Sequence, residues 1–280
     1  MKKPFWEVIS TLDKRWIFLS VFIVITLPIL FPINLPLKAS EPVKKFYENI
    51  ESLPEGSLVM ISDDYDPGSK AELYPMTESV MYHIFKKKLR VVIVSLYASS
   101  PPMTERALNV MRTLFPNIKE GVDYVNLGYK DGREATIVEM GRALQKAFPT
   151  DFRGNPVGNI PIMKGVENYN SFKALISISV GYPGTKEYVQ YAQGRFNINL
   201  LTGAAAVSVP EYSAYYNAGQ IKGMLTGITG AGEYEDLIGR RALAAKATDA
   251  LSFGHVFIIF LILIGNVAWF TQRHKGASHE

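Results

Sequence analysis

Three aspartates follow a short apolar run, at a point where a buried strand should end. The run Ser57–Ser62 is followed by Asp63, Asp64, Tyr65 and Asp66, and then by a Pro-Gly pair. Clustered carboxylates can hold Mg²⁺, because hard cations prefer oxygen ligands and neutralise the repulsion among the acids. A strand-to-helix turn in which an aspartate caps the next helix explains the same residues without chemistry. We favour the turn, so the three aspartates are alternative metal ligands and Mg²⁺ an alternative cofactor.

The pair of acids in Asp64-Tyr65-Asp66 resembles the nucleophile and acid/base aspartates of haloacid dehalogenase-like phosphatases. The resemblance covers this pair alone, since no later paired-aspartate metal motif follows a strand. It implies a membrane-tethered, metal-dependent hydrolase of phosphate esters, with Asp64 and Asp66 as alternative catalytic residues. This hydrolase is an alternative to a non-enzymatic protein.

Small and hydroxyl-bearing residues follow two other apolar runs. We predict a site for a small anion at these positions, because backbone N–H groups at a helix start attract anions and glycine permits close approach. An ordinary glycine turn is the competing interpretation. The predicted ligand-binding residues are Ser99, Ser100, Gly181, Gly184 and Thr185.

The residue types needed for other chemistries are missing or badly placed. The chain has no cysteine, which excludes disulfides, thiolate metal ligands and cysteine nucleophiles. His83 lies within a helix-like stretch, and the other histidines lie in the C-terminal apolar run and tail, so no histidine-based triad or zinc site is indicated. Neither G-x-G-x-x-G nor G-x-x-x-x-G-K-[ST] occurs. We therefore predict no catalytic residue and lean against an enzyme.

The middle of the chain alternates short apolar runs with helix-like stretches. This alternation predicts a Rossmann-like or flavodoxin-like α/β domain over residues 38–232, with a largely parallel sheet and helices on both faces. In such sheets ligands bind outside the carboxyl ends of the strands, where the residues above should meet. The predicted strands are Ser57–Ser62, Arg90–Tyr97, Asp123–Leu127, Ala174–Val180 and Ile198–Leu201.

Two long apolar runs flank this domain and predict transmembrane helices at residues 16–37 and 252–271. Lysines and arginines precede the first run and follow the second, so the positive-inside rule predicts that both termini are cytoplasmic and the domain is extracytoplasmic. These flanking charges also account for much of the net charge of +4, so we predict no nucleic-acid partner. Residues 1–15 are predicted to form an amphipathic segment, 233–251 a helical stalk and 272–280 a cytoplasmic tail.

Glycines at four-residue spacing, Gly219, Gly223 and Gly227, suggest one helix face on which another helix packs closely, within the chain or between subunits. A flexible approach to the predicted stalk is the competing interpretation. Asn266 lies inside the second apolar run, where a polar amide facing lipid would lack partners. Both features predict a homo-oligomer or contacts with other membrane proteins. The chain is therefore predicted to be a membrane-anchored, non-enzymatic scaffold or accessory subunit, with the phosphate-ester hydrolase and an anion receptor as alternatives.

Overall fold

The computed structural model describes residues 13–31 and 33–276, with residues 272–276 described by their backbone alone. Of the predicted N-terminal segment only residues 13–15 are described, and the side chains of the predicted tail 272–280 lie outside the described part. The chain divides into two compact units. The α/β unit is residues 37–244, and the helical unit is residues 1–36 together with 245–280.

The α/β unit is built on a single six-stranded sheet in which every neighbouring pair is parallel. The strand order is β3-β2-β1-β4-β5-β6, which is the order of Rossmann folds rather than of flavodoxin. The predicted parallel α/β fold is confirmed. The strands are β1 Leu58–Asp64, β2 Arg90–Ser95, β3 Tyr124–Tyr129, β4 Ala174–Ser179, β5 Leu200–Ala204 and β6 Gly223–Thr226.

Helices cover both faces of this sheet, because consecutive strand residues point to opposite faces and both sets are apolar. Val59 and Ile61 pack into one hydrophobic cluster, whereas Leu58 and Met60 pack into the other. A π-helical segment, Val189–Gln193, separates two short helices. The helices of the unit are α2 Glu41–Glu51, α3 Lys70–Lys86, α4 Ser100–Leu114, α5 Glu134–Ala147, α6 Thr185–Tyr188, α7 Gly194–Phe196, α8 Val209–Asn217 and α9 Gly227–Leu237.

The three regularly spaced glycines do not share a helix, so the predicted glycine packing face is wrong. Gly219 lies in a turn after α8 with φ +73°, Gly223 begins β6, and Gly227 begins α9 with φ +60°. Gly223 has a different role, since a Cβ atom there would lie 2.4 Å from the backbone N and Cα of Phe46. Helix α2 therefore packs against the edge strand β6 at a distance that only glycine permits.

The two ends of the α/β unit are joined by hydrogen bonds. The Ser40 N–H and hydroxyl donate to the Glu233 carboxylate at 2.9 and 2.7 Å, so the start of α2 is held against α9. Farther along α9, the buried Glu235 carboxylate accepts the N–H groups of Ala242 and Ala244 at 2.7 and 3.1 Å. These N–H groups lie at the start of the last helix, where helix donors lack intrahelical partners.

The last helix, α10, runs from Leu243 to Gly276, so the predicted stalk 233–251 is divided between α9 and α10. Its stretch Leu243–Thr271 is long and apolar enough to span a membrane, with a mean hydropathy of 2.2 over its most apolar 18 residues. Helix α1, Lys14–Leu30, has 17 residues and is therefore about 25 Å long, shorter than a hydrocarbon core of about 30 Å. Among the described residues, one of the two predicted spans, the C-terminal one, is therefore long and apolar enough to cross a membrane.

Within the helical unit, α1 and α10 lie against each other. A Cβ atom on Gly254 of α10 would be 3.4 Å from Cγ1 of Ile25 in α1, an ordinary contact distance. The N–H of Asn34 donates to the buried Asp249 carboxylate at 3.0 Å. This bond fixes the chain just after α1 to the first half of α10.

Candidate functional site

The predicted metal, catalytic and ligand-binding residues lie at the carboxyl ends of three neighbouring strands or in the segments that follow them. Since β2, β1 and β4 are adjacent, the loops that follow them meet at one edge of the sheet. This edge includes the place between β1 and β4 where the strand order reverses, which is where Rossmann-like sheets bind ligands. The predicted residues thus gather at one sheet edge, as the sequence indicates, and ligand binding there stays a prediction.

Asp63 is sealed on one face of the sheet. Its carboxylate accepts the hydroxyls of Thr77 in α3 and Thr104 in α4, at 2.7 and 2.6 Å. Burial raises the pKa of Asp63 to about 6, and the two hydroxyl hydrogen bonds oppose that rise. Both carboxylate oxygens are thus occupied by the chain itself.

Asp64 points to the opposite face and is equally buried. Its carboxylate accepts the Ser62 hydroxyl at 2.5 Å and the Leu96 N–H at 2.6 Å, and the Ser62 hydroxyl also lies 2.6 Å from that of Tyr188. Burial raises the pKa of Asp64 to about 7; the hydrogen bonds from Ser62 and Leu96 lower it, and the charge of Asp63 raises it further. The group is a structural element of the sheet edge.

Asp66, by contrast, is exposed and accepts the N–H of Ser69 at 3.0 Å, which makes the predicted turn before α3. The three carboxylates therefore diverge. Among the described side chains, those of residues 13–31 and 33–271, no group of three or more histidine and acidic residues is placed to hold a metal ion. The geometry does not fit the alternative Mg²⁺ site or the paired-aspartate hydrolase, because an attacking carboxylate at Asp64 would be covered by Ser62 and Leu96.

The serines after β2 hold the loop after β1. The Ser100 hydroxyl donates to the carbonyl of Tyr65 at 2.7 Å and accepts the N–H of the same residue at 3.1 Å. The Ser99 hydroxyl lies 3.4 Å from that carbonyl. Ser100 is fully buried, so its hydroxyl serves the backbone of Tyr65 and is closed to solvent.

Tyr97 closes the crevice between the strands. Its hydroxyl lies 2.8 Å from the carbonyl of Val180 and 3.1 Å from that of Tyr182. Because Tyr97 follows β2 and the other two residues follow β4, the side chain crosses the end of β1. Gly181 has φ +77°, and a Cβ atom there would lie 3.1 Å from the Tyr97 hydroxyl. Gly181 therefore makes room for this tyrosine.

The predicted anion position at the start of α6 is filled by an internal carboxylate. The Gly184 N–H donates to the carboxylate of Glu187, which is buried, at 2.8 Å. The Thr185 N–H donates to the Ser179 hydroxyl at 3.0 Å, and the Thr185 hydroxyl lies 2.6 Å from that of Thr202. The N–H donors of the two predicted residues Gly184 and Thr185 therefore already have partners within the chain. A glutamate at the third position of a helix is a capping signal that can be read from the sequence. Glu187 has this position in α6, so the signal could have predicted its role.

His83 is a satisfied core histidine. Its Nδ1 lies 2.6 Å from the Tyr234 hydroxyl and its Nε2 lies 2.8 Å from the Glu51 carboxylate, and its ring stacks on Tyr47. Burial lowers the pKa of His83, although Glu51 opposes this. Since the Tyr234 hydroxyl is buried at the end of this chain of groups, the cluster has no open nucleophile.

Three open depressions on the α/β unit are lined by residues other than those predicted. Their volumes are about 680, 480 and 760 Å³. The first lies along α5, the second beside the loop after α5, and the third at the amino end of β2. Each has both acidic and basic residues in its lining, so none offers a concentrated charge of one sign.

No protein-family model matches the chain, and no curated protein matches it in sequence. Among solved structures it is similar to trehalose-6-phosphate synthase, with a TM-score of 0.33 and 9% sequence identity. The match covers 80% of this chain and 46% of that one, so the chain spans less than half the length of that protein. A likeness at this level carries no functional argument.

Proposed function

We propose that this chain is a membrane-anchored, non-enzymatic scaffold or accessory subunit of a membrane protein assembly. The observation that carries the proposal is the closed strand-end crevice. At the place where a Rossmann-like sheet receives its ligand, Tyr97, Ser100 and Glu187 occupy the hydrogen-bonding groups of the loops. Because the crevice is filled by the domain's own side chains, the outer surface of the domain remains for binding partner proteins.

The helical unit supports the membrane location. Large apolar side chains are exposed on α1 and α10, and surfaces of this kind are stable in lipid but costly in water. We propose that both helices cross the bilayer. Because α1 is shorter than the hydrocarbon core, it would stand without tilt, and the residues that flank it would complete the crossing. The most exposed of these side chains are Trp16, Phe18, Phe22, Leu30 and Val256.

The proposed orientation places both termini in the cytoplasm and the α/β unit outside. Lys14 and Arg15 lie in the first turn of α1, before its apolar part, and Arg273 and Lys275 follow the apolar part of α10. Positive residues close to the ends of a span are retained on the cytoplasmic side. The partners of such a protein are the bilayer, further copies of the chain or other membrane proteins.

Membrane integration is tested by alkaline carbonate extraction of membranes that contain the full chain. We expect the chain to stay in the pellet, and then to migrate in mild detergent as an assembly larger than one copy. A chain released by carbonate would refute the anchor. A stable monomer without co-purifying proteins would refute the scaffold.

Orientation is tested by single cysteines, because the chain has none of its own. Ala98→Cys introduces a thiol at an exposed position of the α/β unit, and Ser278→Cys introduces one near the C terminus. In intact cells a membrane-impermeant maleimide should label the first and leave the second unlabelled. The reverse pattern would show that the α/β unit is cytoplasmic.

The hydrolase alternative is tested on the same purified protein with p-nitrophenyl phosphate and Mg²⁺. We expect no turnover above background, because Asp64 is covered. Turnover that depends on Mg²⁺ and disappears in Asp64→Asn would overturn the non-enzymatic proposal. Stabilisation of the wild-type chain by inorganic phosphate without turnover would instead support an anion receptor.

A further inference from the structure

One side of α10 is occupied by α1. Between residues 254 and 268 of α10, the buried and half-buried residues recur at alternating spacings of three and four, the pattern of one helix packed along another. The residues of this α1-facing seam are Gly254, Phe257, Leu261, Ile264 and Ala268. Helix α1 has a corresponding series of less exposed residues at Ile17, Val21, Val24 and Pro28.

The other side of α10 has a second series at similar spacing, and all of its members are exposed. It consists of His255, Ile259, Ile262 and Asn266, which we call the outer face. At about 100° per residue, Ile259 and Asn266 lie roughly 160° and 140° round the helix from Leu261 of the seam. The outer face thus points away from α1.

The outer face contains the one histidine and the one side-chain amide of the run 251–270, which has no charged residue. His255 and Asn266 are eleven residues apart and fall on the same stripe. Lipid offers an amide or imidazole no hydrogen-bond partner, so such residues face protein in membranes. Helix α1 does not cover them, because it lies against the opposite side.

We propose that the outer face of α10 binds the outer face of α10 in a second copy of the chain. This proposal rests on the membrane anchoring proposed above. Two copies inserted in the same orientation are related by a two-fold axis along the membrane normal, so their α10 helices run parallel and each residue meets its own counterpart at the same depth.

The two polar side chains fit such a symmetric contact. An asparagine amide has donors and an acceptor, and a neutral imidazole has one donor and one acceptor. Asn266 can therefore exchange hydrogen bonds with Asn266 of a second copy, and His255 with its own counterpart. Between these polar pairs, Ile259 and Ile262 supply an apolar contact, and no like charges are brought together.

Disulfide cross-linking in proteoliposomes tests the contact, since the chain is free of cysteine. Ile259→Cys lies on the outer face, and Ile258→Cys is the matched control: the same residue type, also exposed, about 100° away round the helix. On mild oxidation we expect Ile259→Cys to form covalent dimers at least about ten times faster than Ile258→Cys. Equal rates, or no dimer from either variant, would overturn the proposal.

Energy transfer between labelled copies of the full chain measures the contribution of the amide. Asn266→Leu should weaken the dimer roughly 3- to 30-fold, the range expected for one interhelical polar contact in a membrane. Asn266→Gln keeps both donor and acceptor and should retain most of the affinity. If Asn266→Leu dimerises as well as the wild type, the amide does not mediate the contact.

The outcomes separate this inference from the proposed function. A chain that is released by carbonate is not anchored, and both proposals fail. A chain that resists carbonate but in which Ile259→Cys cross-links to a different protein in native membranes keeps the scaffold function and overturns the self-association.

Discussion

Replacing Asp64 with asparagine should remove a large part of the pH dependence of stability. Asp64 is fully buried, and its pKa is raised from 3.8 to about 7, a difference of about three pH units. Each unit corresponds to about 1.4 kcal/mol, so ionising this carboxyl in the folded state costs about 4 kcal/mol. That is a large fraction of the 5–15 kcal/mol by which a typical domain is stable.

The sign follows from the order of the two pKa values. Below about pH 4 the carboxyl is protonated in both the folded and the unfolded chain, and its full contribution to stability is present. Between about pH 4 and pH 7 the folded state holds a proton that the unfolded state has released, so the unfolding free energy falls as pH rises. Asp64→Asn is neutral throughout and should lose this part of the slope.

The assay is urea unfolding of the full chain in detergent at several pH values from 4 to 8, followed by near-UV circular dichroism of tyrosine. All 15 tyrosines lie within residues 37–244, and all three tryptophans lie outside, so the tyrosine signal reports on the α/β unit. We expect the fall in unfolding free energy across this range to be smaller by about 4 kcal/mol in Asp64→Asn.

Asp66→Asn is the matched control, because Asp66 follows in the same loop but is exposed to solvent. The unfolding free energy of Asp66→Asn should change with pH about as much as that of the wild type. If Asp64→Asn and the wild type lose the same free energy between pH 4 and 8, then the Asp64 carboxyl is not held protonated by burial and the reasoning is wrong.

Three further substitutions test the packing and the closure of the site. Gly223→Ala should lower the unfolding free energy by about 1–3 kcal/mol or more, because the new methyl group meets the backbone of Phe46; the urea midpoint measures this, and an unchanged midpoint would contradict the close packing. Tyr97→Phe should cost about 1 kcal/mol and speed hydrogen exchange in the loop after β4, since the hydroxyl bonds are lost; equal exchange rates would argue against the closed crevice. Glu235→Ala should cost about 1 kcal/mol and increase hydrogen exchange at the start of α10, where two N–H groups lose their acceptor; unaltered protection there would show that other groups satisfy these donors.

Much of the sheet could be predicted from local sequence because its strands are buried on both faces. A run such as Arg90–Tyr97 is almost wholly apolar and β-branched, and only a covered strand has that composition. Strand β6 gives no such signal, since it has four residues and begins at Gly223. The four-residue spacing of the glycines suggested a helix, but it arises from a turn, a close approach and a helix start that follow one another.

The position of the site could be predicted, whereas its closure could not. The carboxyl ends of parallel strands meet at one edge of the sheet. The sequence therefore predicts that Asp63 and Thr185 lie at the same edge. Their hydrogen-bond partners, such as Thr104 and Thr202, lie 41 and 17 residues away in the chain. Which of these hydroxyls faces the sheet edge depends on how the helices and strands pack, and no local pattern encodes it.

The hydrogen bonds between Ser40 and Glu233 have a mechanical consequence. They lie near both points where the chain enters and leaves the α/β unit, so tension applied through residue 37 or residue 244 reaches the contact between α2 and α9 before it reaches the sheet. The central strands β1 and β4 are thereby shielded from shear. A pull on the two ends of the α/β unit would therefore load these two hydrogen bonds first.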